Sequence, residues 1–140
     1  MPKLIFVNLP VSDLPRAKAF YEAIGAKNNP QFTDDTAACM VFSDTIHVML
    51  LTHDKYKQFT KKPIADTQKT SAVMLAITKD QRDCVDAVLG AALQNGAKEP
   101  RDKMDMGWMY NRAFEDTDGH VFEAVSADMA AMNEQMGKAE

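Results

Sequence analysis

The first half of the chain combines strand-like apolar runs with one stretch of helical spacing. Residues 4–11 are apolar and rich in β-forming residues, which predicts a strand. Ser12 or Asp13 then offers a capping oxygen, and apolar residues recur every three or four positions until Gly25, so we expect a helix that ends at a glycine. Further strands are predicted at 31–33 (a weak one), 37–42 and 46–51.

The second half repeats this order. Residues 72–78 predict a strand, Asp80 a helix cap, and Gly96 the end of that helix. Two more strands are predicted at 108–115 and 121–126, and the turn Asp116-Thr117-Asp118-Gly119 joins them. The helix between Asp80 and Gly96 has one apolar stripe, formed by Val85, Val88, Leu89, Ala92 and Leu93.

Short sequence matches support an internal duplication. Gly25-Ala26-Lys27 recurs as Gly96-Ala97-Lys98, and Phe42-Ser43-Asp44 recurs as Phe114-Glu115-Asp116. Each half would bury only one face of its sheet, so two halves are needed to close a core. We therefore predict one domain with a first module at 1–52, a linker at 53–69, a second module at 70–126 and a helical tail at 127–140.

The linker and the tail each leave two interpretations open. The stretch 52–69 carries five lysines, typical of a solvated linker with a short helix at 54–59, but also suited to a basic flap that meets an anionic ligand. In the tail, Met129, Met132 and Met136 fall on one helix face. That face either covers the core or forms a dimer contact, because methionine packs adaptably on partner surfaces.

Composition narrows the class of partner. The chain has 140 residues, 46% of them hydrophobic and 26% charged, and its net charge of −4 gives no basic footprint for nucleic acid. It has no apolar run near the roughly 20 residues of a membrane helix and no signal-peptide pattern at its start. Cys39 and Cys84 look like buried free thiols. We expect a cytoplasmic protein.

Two motifs carry a family resemblance that extends over nearly the whole chain. Residues 6–14 followed by Ala19-Phe20-Tyr21, and residues 114–123, resemble the opening strand and helix and the closing hairpin of the vicinal oxygen chelate superfamily. This superfamily comprises glyoxalases, bleomycin resistance proteins and dioxygenases, and the chain is most similar to its predicted lactoylglutathione lyases. The resemblance implies an α+β fold in which two tandem βαβββ modules form a curved mixed sheet around a central cup.

The same resemblance implies a divalent metal ion in that cup, held by the first and last strands of each module. Glu123 occupies the carboxylate position of the last strand, and His47 or Met49 that of the first module. The two first-strand positions fall on Phe6 and near 72–73, where no side chain can bind a metal. Glu123 and His47 therefore remain as the candidate metal ligands.

Residues on the predicted strands around Glu123 suggest one side of a ligand-binding site. Glu123 lies in an apolar strand, where it would act as a base inside the cup, face solvent or pair with an arginine. Trp108, Tyr110 and Arg112 are spaced by two and so share a face that could grip a planar anion. The alternative is a structural Arg112–Glu123 ion pair, and both interpretations place Arg112 near Glu123.

The remaining polar candidates are one asparagine and three histidines. Phe6 and Asn8 are predicted to bind substrate in the cup, where Asn8 would donate to a ligand carbonyl; the alternative for Asn8 is a strand end in solvent. His47 is either a metal ligand or a hydrogen-bonded, half-buried side chain. We expect His53 to start the linker helix and His120 to have a structural role in its turn.

Two functional hypotheses follow, and a third is weaker. The leading one is a glyoxalase-like enzyme, a lyase or a dioxygenase-like oxidoreductase, in which Glu123 is the base and Tyr110 and Arg112 orient a small-molecule substrate. The rival is a metal-free protein of the bleomycin-resistance type that sequesters a small molecule. The third is a purely structural dimer. We expect a homodimer with no nucleic-acid or membrane partner.

Overall fold

The computed structural model describes residues 1–138, and their side chains except at positions 132, 135, 136 and 138. The chain forms two compact units. The first consists of residues 1–70 together with 117–120, and the second of residues 71–116 together with the chain from 121 onward. Each unit contains its own four-stranded sheet.

The first unit begins with a strand and a capped helix. Its elements are β1 (Ile5–Val11), α1 (Leu14–Ala23), β2 (Lys27–Asn29), a 3₁₀ turn (Pro30–Phe32), β3 (Ala37–Val41), β4 (Ile46–Thr52) and α2 (His53–Tyr56). Helix α1 starts as predicted, because the Asp13 carboxylate accepts the Arg16 N–H at 3.1 Å. The sheet order is β1-β4-β3-β2, with β1 parallel to β4 and the other pairs antiparallel.

One face of this sheet forms the core of the first unit with α1. The register aligns Leu9 with Leu50 and Leu50 with Ala38, and all three are buried. Helix α1 buries the apolar stripe that the sequence predicts, with Phe20 and Tyr21 almost fully enclosed. The alternate residues of β1 and β4, among them Phe6, lie on the opposite face.

The second unit repeats the pattern. Its elements are β5 (Met74–Thr78), α3 (Arg82–Gln94), β6 (Met104–Asp105), β7 (Met109–Glu115), β8 (Val121–Ala127) and α4 (Met129–Lys138). The sheet order is β5-β8-β7-β6, with β5 parallel to β8. Helix α3 buries Val85, Leu89 and Ala92, and the buried rings of Phe114 and Phe122 lie 5.5 Å apart across β7 and β8.

The predicted fold class is confirmed: the protein is α+β, with two similar modules that each pair a mixed four-stranded sheet with a helix. The central cup stays a prediction. Among the described residues, no helix is both long and apolar enough to span a membrane. In the tail, the side chains of Met132 and Met136 lie outside the described part of the structure, so the predicted methionine face is not tested.

Three local predictions are wrong. Residues 31–33 do not form a strand, because Pro30 and the Asn29 side chain, which accepts the Gln31 N–H at 3.1 Å, favour a 3₁₀ turn. Asp80 does not cap α3; the helix begins at Arg82 after Gln81, without a side-chain cap. Cys84 is exposed, since it lies beside the buried stripe of α3, whereas Cys39 is buried as expected.

The turn between β7 and β8 belongs to the first unit. There the Ser12 N–H donates to Asp118 Oδ1 at 2.9 Å, and the ring of His120 lies with Nε2 2.7 Å from the Pro10 carbonyl oxygen. The structural role predicted for His120 is thereby confirmed. The predicted turn is also present, with Gly119 at a φ of +87°.

Candidate functional site

The register of the second sheet sorts the candidate residues onto two faces. Arg112 pairs with Ala124 and Ala113 pairs with Glu123 across β7 and β8. Because neighbouring strand residues point to opposite faces, Glu123 shares its face with Asn111, whereas Tyr110 and Arg112 lie on the face that carries α3. Glu123 and Arg112 therefore do not form one site.

Arg112 is held by two acidic residues on the α3 side. Its guanidinium donates to both carboxylate oxygens of Glu99, at 2.9 Å from Nε and 2.8 Å from Nη2, and to Asp86 Oδ1 at 2.9 Å from Nη1. The Tyr110 hydroxyl donates to the same Asp86 oxygen at 2.7 Å. These contacts connect α3, the loop before β6 and strand β7.

The charges of this network alter its acidities. The hydrogen bond from Arg112 holds the pKa of Glu99 below its ordinary value. The Tyr110 hydroxyl and Arg112 lower the pKa of Asp86, and the Asp86 carboxylate in turn raises the pKa of Tyr110. These contacts indicate that Arg112 has a structural role. Its guanidinium is occupied by Glu99 and Asp86 and is not free to bind an anionic ligand.

The prediction that Arg112 lies near Glu123 is therefore wrong. Its reason is the period-two alternation of the strand, which separates positions 112 and 123 once the register is known. Trp108 does not share the strand face of Tyr110 either, because it lies in the turn before β7, where its carbonyl accepts the Asp128 N–H at 2.8 Å. That Tyr110, Arg112 and Trp108, and Asn8 and Phe6 of the first unit, bind substrate stays an untested prediction.

Glu123 is the centre of a different polar cluster. The Asn111 amide nitrogen donates to Glu123 Oε2 at 3.0 Å, and Arg101 Nη2 lies 3.4 Å from Glu123 Oε1. Arg101 also donates to the side-chain oxygen of Asn111. The side chain of Glu123 is 20% exposed, that of Arg101 is 33% exposed, and Asn111 is buried. We call Arg101, Asn111 and Glu123 the polar triad.

The polar triad lies among apolar positions of the same sheet face. By register, the residues that share this face include Met74, Ala76, Met104, Met109, Ala113, Val121 and Val125. Ligand sites are typically apolar surfaces with a few placed polar groups. The triad offers such a ligand a carboxylate acceptor and guanidinium donors at one point.

Sequence reasoning missed two members of the triad. Arg101 lies in an irregular segment, where no periodicity assigns a face. Asn111 carried a usable signal, because it is a polar residue between Tyr110 and Arg112 and so must face the other way. The alternative that Glu123 pairs with an arginine is confirmed, but the partner is Arg101.

In the first unit, the register confirms that Asn8 shares a sheet face with Phe6, and it brings Phe6 against His47. Phe6 pairs with His47 across β1 and β4, and their ring centroids are 4.8 Å apart. His47 Nε2 lies 3.0 Å from the Asp44 carbonyl oxygen. Asn8 is exposed and pairs with Met49. His47 is thus half-buried and hydrogen-bonded, as one of the two interpretations expects.

The donor set does not fit the metal ion that the resemblance implies. No group of three His, Cys, Asp or Glu residues in the described part of the chain is arranged to hold one. His47 Nδ1 is buried without a hydrogen-bond partner among the described residues. Its cross-strand neighbour is Phe6, whose ring cannot supply a second metal ligand. Both oxygens of Glu123 are already engaged by Asn111 and Arg101.

Each unit also has an open cleft. One of about 830 Å³ in the second unit is lined by the Arg112 network with Arg101 and Lys103. This cleft is lined by both cationic and acidic side chains, so their charges offset each other. One of about 530 Å³ in the first unit is lined by linker residues including His53 and Lys57, and by Pro10. His53 is the first residue of α2, as predicted.

We expect the protein to lose stability in acid as its paired carboxylates are protonated. Arg82 lowers the pKa of Asp105 from 3.8 to about 2, and Arg112 lowers that of Glu99 from its ordinary 4.5. Both pKa values are lower in the folded state than in the unfolded chain. The two carboxylates therefore stabilise the folded state fully only at a pH above their ordinary pKa values. This stabilisation is lost as the pH falls toward the folded-state values.

Urea unfolding, monitored by the fluorescence of Trp108, the only tryptophan, measures this loss of stability. The relevant pH window runs from 4.5, the ordinary pKa of Glu99, down to about 2, the lowered pKa of Asp105. The Arg112→Met variant should show a shallower dependence on pH, because the pKa of Glu99 then rises toward its ordinary value, whereas the Tyr110 hydroxyl still lowers that of Asp86. An unfolding midpoint that stays constant through the window would contradict the prediction.

Comparison with known proteins supports the fold. Residues 3–43 match a family model described as bleomycin resistance protein-like, N-terminal. No curated protein matches the chain.

Solved structures match over almost the whole length. A hypothetical protein from S. aureus is 22% identical with a TM-score of 0.76, over 91% of this chain and 95% of that one. A glyoxalase/bleomycin resistance protein/dioxygenase family enzyme from Burkholderia phytofirmans is 17% identical with a TM-score of 0.75, over 91% and 100%. The fosfomycin resistance protein FosX from Mesorhizobium loti is 16% identical with a TM-score of 0.69, over 94% and 98%. At these identities the likeness shows a shared fold, which carries many activities.

Proposed function

We propose that this chain binds a small organic molecule without a metal, in the manner of the bleomycin-resistance type, and that the polar triad anchors that molecule. The single observation behind the proposal is the triad itself, a half-buried carboxylate, amide and guanidinium on a mostly apolar sheet face. The match of residues 3–43 to a bleomycin-resistance model points the same way.

The chemistry of the triad defines the ligand class. Glu123 accepts hydrogen bonds and favours a cationic or N–H group, and Arg101 donates to a carbonyl or an anionic oxygen. The neighbouring methionine and valine side chains favour a flat, apolar or aromatic body. A ligand with both features uses the remaining acceptor and donor capacity of the triad while it buries the apolar positions.

The enzyme hypothesis has less support in the geometry. A general base needs a carboxylate oxygen within reach of the substrate proton, and both oxygens of Glu123 accept hydrogen bonds from within the protein. Membership of the lactoylglutathione lyase-like subgroup stays a prediction, as do the homodimer and the cytoplasmic location.

Titrations with metal-free bleomycin and, separately, with fosfomycin test the proposal. Calorimetry and the fluorescence of Trp108 measure binding in each titration. We expect bleomycin to bind, since it combines aromatic rings with cationic groups, and Glu123→Gln to weaken binding about tenfold or more, equivalent to about 1.4 kcal/mol. Glu115→Gln is the matched control, because Glu115 lies on the same sheet face but outside the triad.

Turnover assays complete the test. We expect no turnover of a hemithioacetal or a catechol with added nickel, zinc, manganese or iron(II). Turnover that Glu123→Gln abolishes would replace the binding proposal with the enzyme hypothesis. Equal affinities of Glu123→Gln and Glu115→Gln for bleomycin would remove the triad from the binding site.

A further inference from the structure

Three methionines share one face of the short hairpin formed by β6 and β7. Met104 pairs with Asn111 and Asp105 with Tyr110, and the Met106 N–H donates to the Met109 carbonyl at 2.8 Å. Met106 and Met109 are thus directly opposite, and Met104 is two residues from Met106. Since the side-chain period of a strand is two, the three side chains project from the same face.

The spacing on this face brings the three thioethers within reach of one point. Directly opposed residues have Cβ atoms about 4.5–5.5 Å apart, and diagonal neighbours about 7–8 Å. Methionine is long and unbranched with three rotatable bonds, so its sulfur covers such distances easily. Met104 is 42% exposed and Met106 is 55% exposed, so these side chains are accessible rather than part of the core.

Contacts on the other face hold the hairpin in place. Arg82 donates to both carboxylate oxygens of Asp105, at 2.6 and 2.7 Å, and to the Gly107 carbonyl at 3.0 Å. The Arg82 guanidinium also lies 5.1 Å from the centre of the Tyr110 ring. Asp105 and Tyr110 are the alternate residues of the hairpin, so this anchor leaves the methionine face clear.

We propose that Met104, Met106 and Met109 form a site for a soft monovalent metal ion, copper(I) in the first place. Thioether sulfurs are soft ligands that select copper(I) over harder divalent ions. A trio of neutral sulfurs on an anchored hairpin suits a monovalent cation. The site goes beyond the proposed binding of an organic molecule and uses no member of the polar triad.

The only tryptophan of the chain provides a direct signal. Trp108 stands in the two-residue turn between Met106 and Met109, so a metal ion bound by these side chains quenches its fluorescence. The exposed thiol of Cys84 is the chief competitor for copper(I), and all measurements therefore use the Cys84→Ser chain.

The test is a titration of this chain with copper(I) under anaerobic conditions, against a chromogenic copper(I) chelator. We expect one equivalent to bind with quenching of Trp108. Changing Met104, Met106 and Met109 together to leucine, which keeps the volume and apolar character, should weaken binding at least tenfold. The double variant Met49→Leu and Met74→Leu is the control and should bind as the parent does, and zinc(II) should not quench.

A second measurement covers the case in which the triple variant folds poorly. Silver(I), a redox-stable ion of the same soft class, should protect Met104, Met106 and Met109 from oxidation to the sulfoxide by hydrogen peroxide, while Met74 stays reactive. Undiminished affinity in a folded triple variant, or no protection by silver(I), would overturn the proposal. Glu123→Gln retains all three methionines and should bind copper(I) as the parent does, so failure of the copper(I) site and failure of the polar triad are distinguishable.

Discussion

Replacing Gly119 with alanine is expected to destabilise the protein by about 2–4 kcal/mol. Gly119 has a φ of +87°, a conformation that a residue with a Cβ atom rarely adopts. An added Cβ would also overlap the Thr67 carbonyl group, with the carbonyl carbon only 2.7 Å away. The obstacle is backbone, so it cannot move aside as a flexible side chain would.

The cost is large because this turn is docked within the first unit. Asp118 accepts from the Ser12 N–H, Gln68 donates to the Thr117 carbonyl at 3.1 Å, and the Thr67 hydroxyl donates to the Asp118 carbonyl. A shift of the turn that relieves the clash at Gly119 would break these hydrogen bonds. Strain and lost contacts therefore add to each other.

Gly107→Ala is the matched control. Its φ of +81° is close to that of Gly119, but nothing lies within 4 Å of the added Cβ. We expect it to lose only the conformational cost, about 1–2 kcal/mol. Chemical denaturation of both variants measures the difference, and equal losses would show that the close approach to Thr67 does not matter.

Changing Arg112 to methionine is expected to cost about 1.5–3 kcal/mol. The Arg112 side chain is only 20% exposed, and its guanidinium donates to Glu99 and Asp86 at 2.8–2.9 Å. Methionine retains the apolar part of the side chain but leaves the carboxylate of Glu99, whose side chain is 24% exposed, without this partner. The penalty is chiefly that of an unpaired, poorly solvated charge.

Arg82→Met provides the comparison. Arg82 also makes a two-oxygen contact, with Asp105, but both side chains are nearly half exposed. Water solvates the remaining carboxylate there, so we expect a clearly smaller loss of stability. If Arg112→Met instead left stability unchanged and weakened ligand binding, Arg112 would be a binding residue, as the sequence first suggested.

Much of the fold was readable in the chain because its signals are local. The cap at Asp13, the helical stripe of α1, the glycines that end α1 and α3, and the turn before Gly119 all act over a few residues. The internal matches around Gly25 and Gly96 correctly indicated two similar modules. Where a signal was weak, as at residues 31–33, the proline and asparagine chemistry of the turn prevailed.

The composition of the candidate site was only partly readable. Glu123 was identified chiefly by the family resemblance, which puts it in the carboxylate position of the last strand, and the structure gives it a half-buried position with polar partners. The partners themselves were not, because Arg101 comes from an irregular segment 22 residues away in the chain. Arg112 was assigned to the wrong face, since spacing along one strand cannot state which neighbour it meets on the next.

The sequence by itself determined the order of strands, helices and turns, because capping, periodicity and turn residues act between near neighbours in the chain. Only the tertiary structure decided which charges meet, Arg101 with Glu123 and Arg112 with Glu99 and Asp86. Strand register and the path of an irregular loop set those pairings. A shift of one residue in register would exchange the two faces of the sheet and with them every partner.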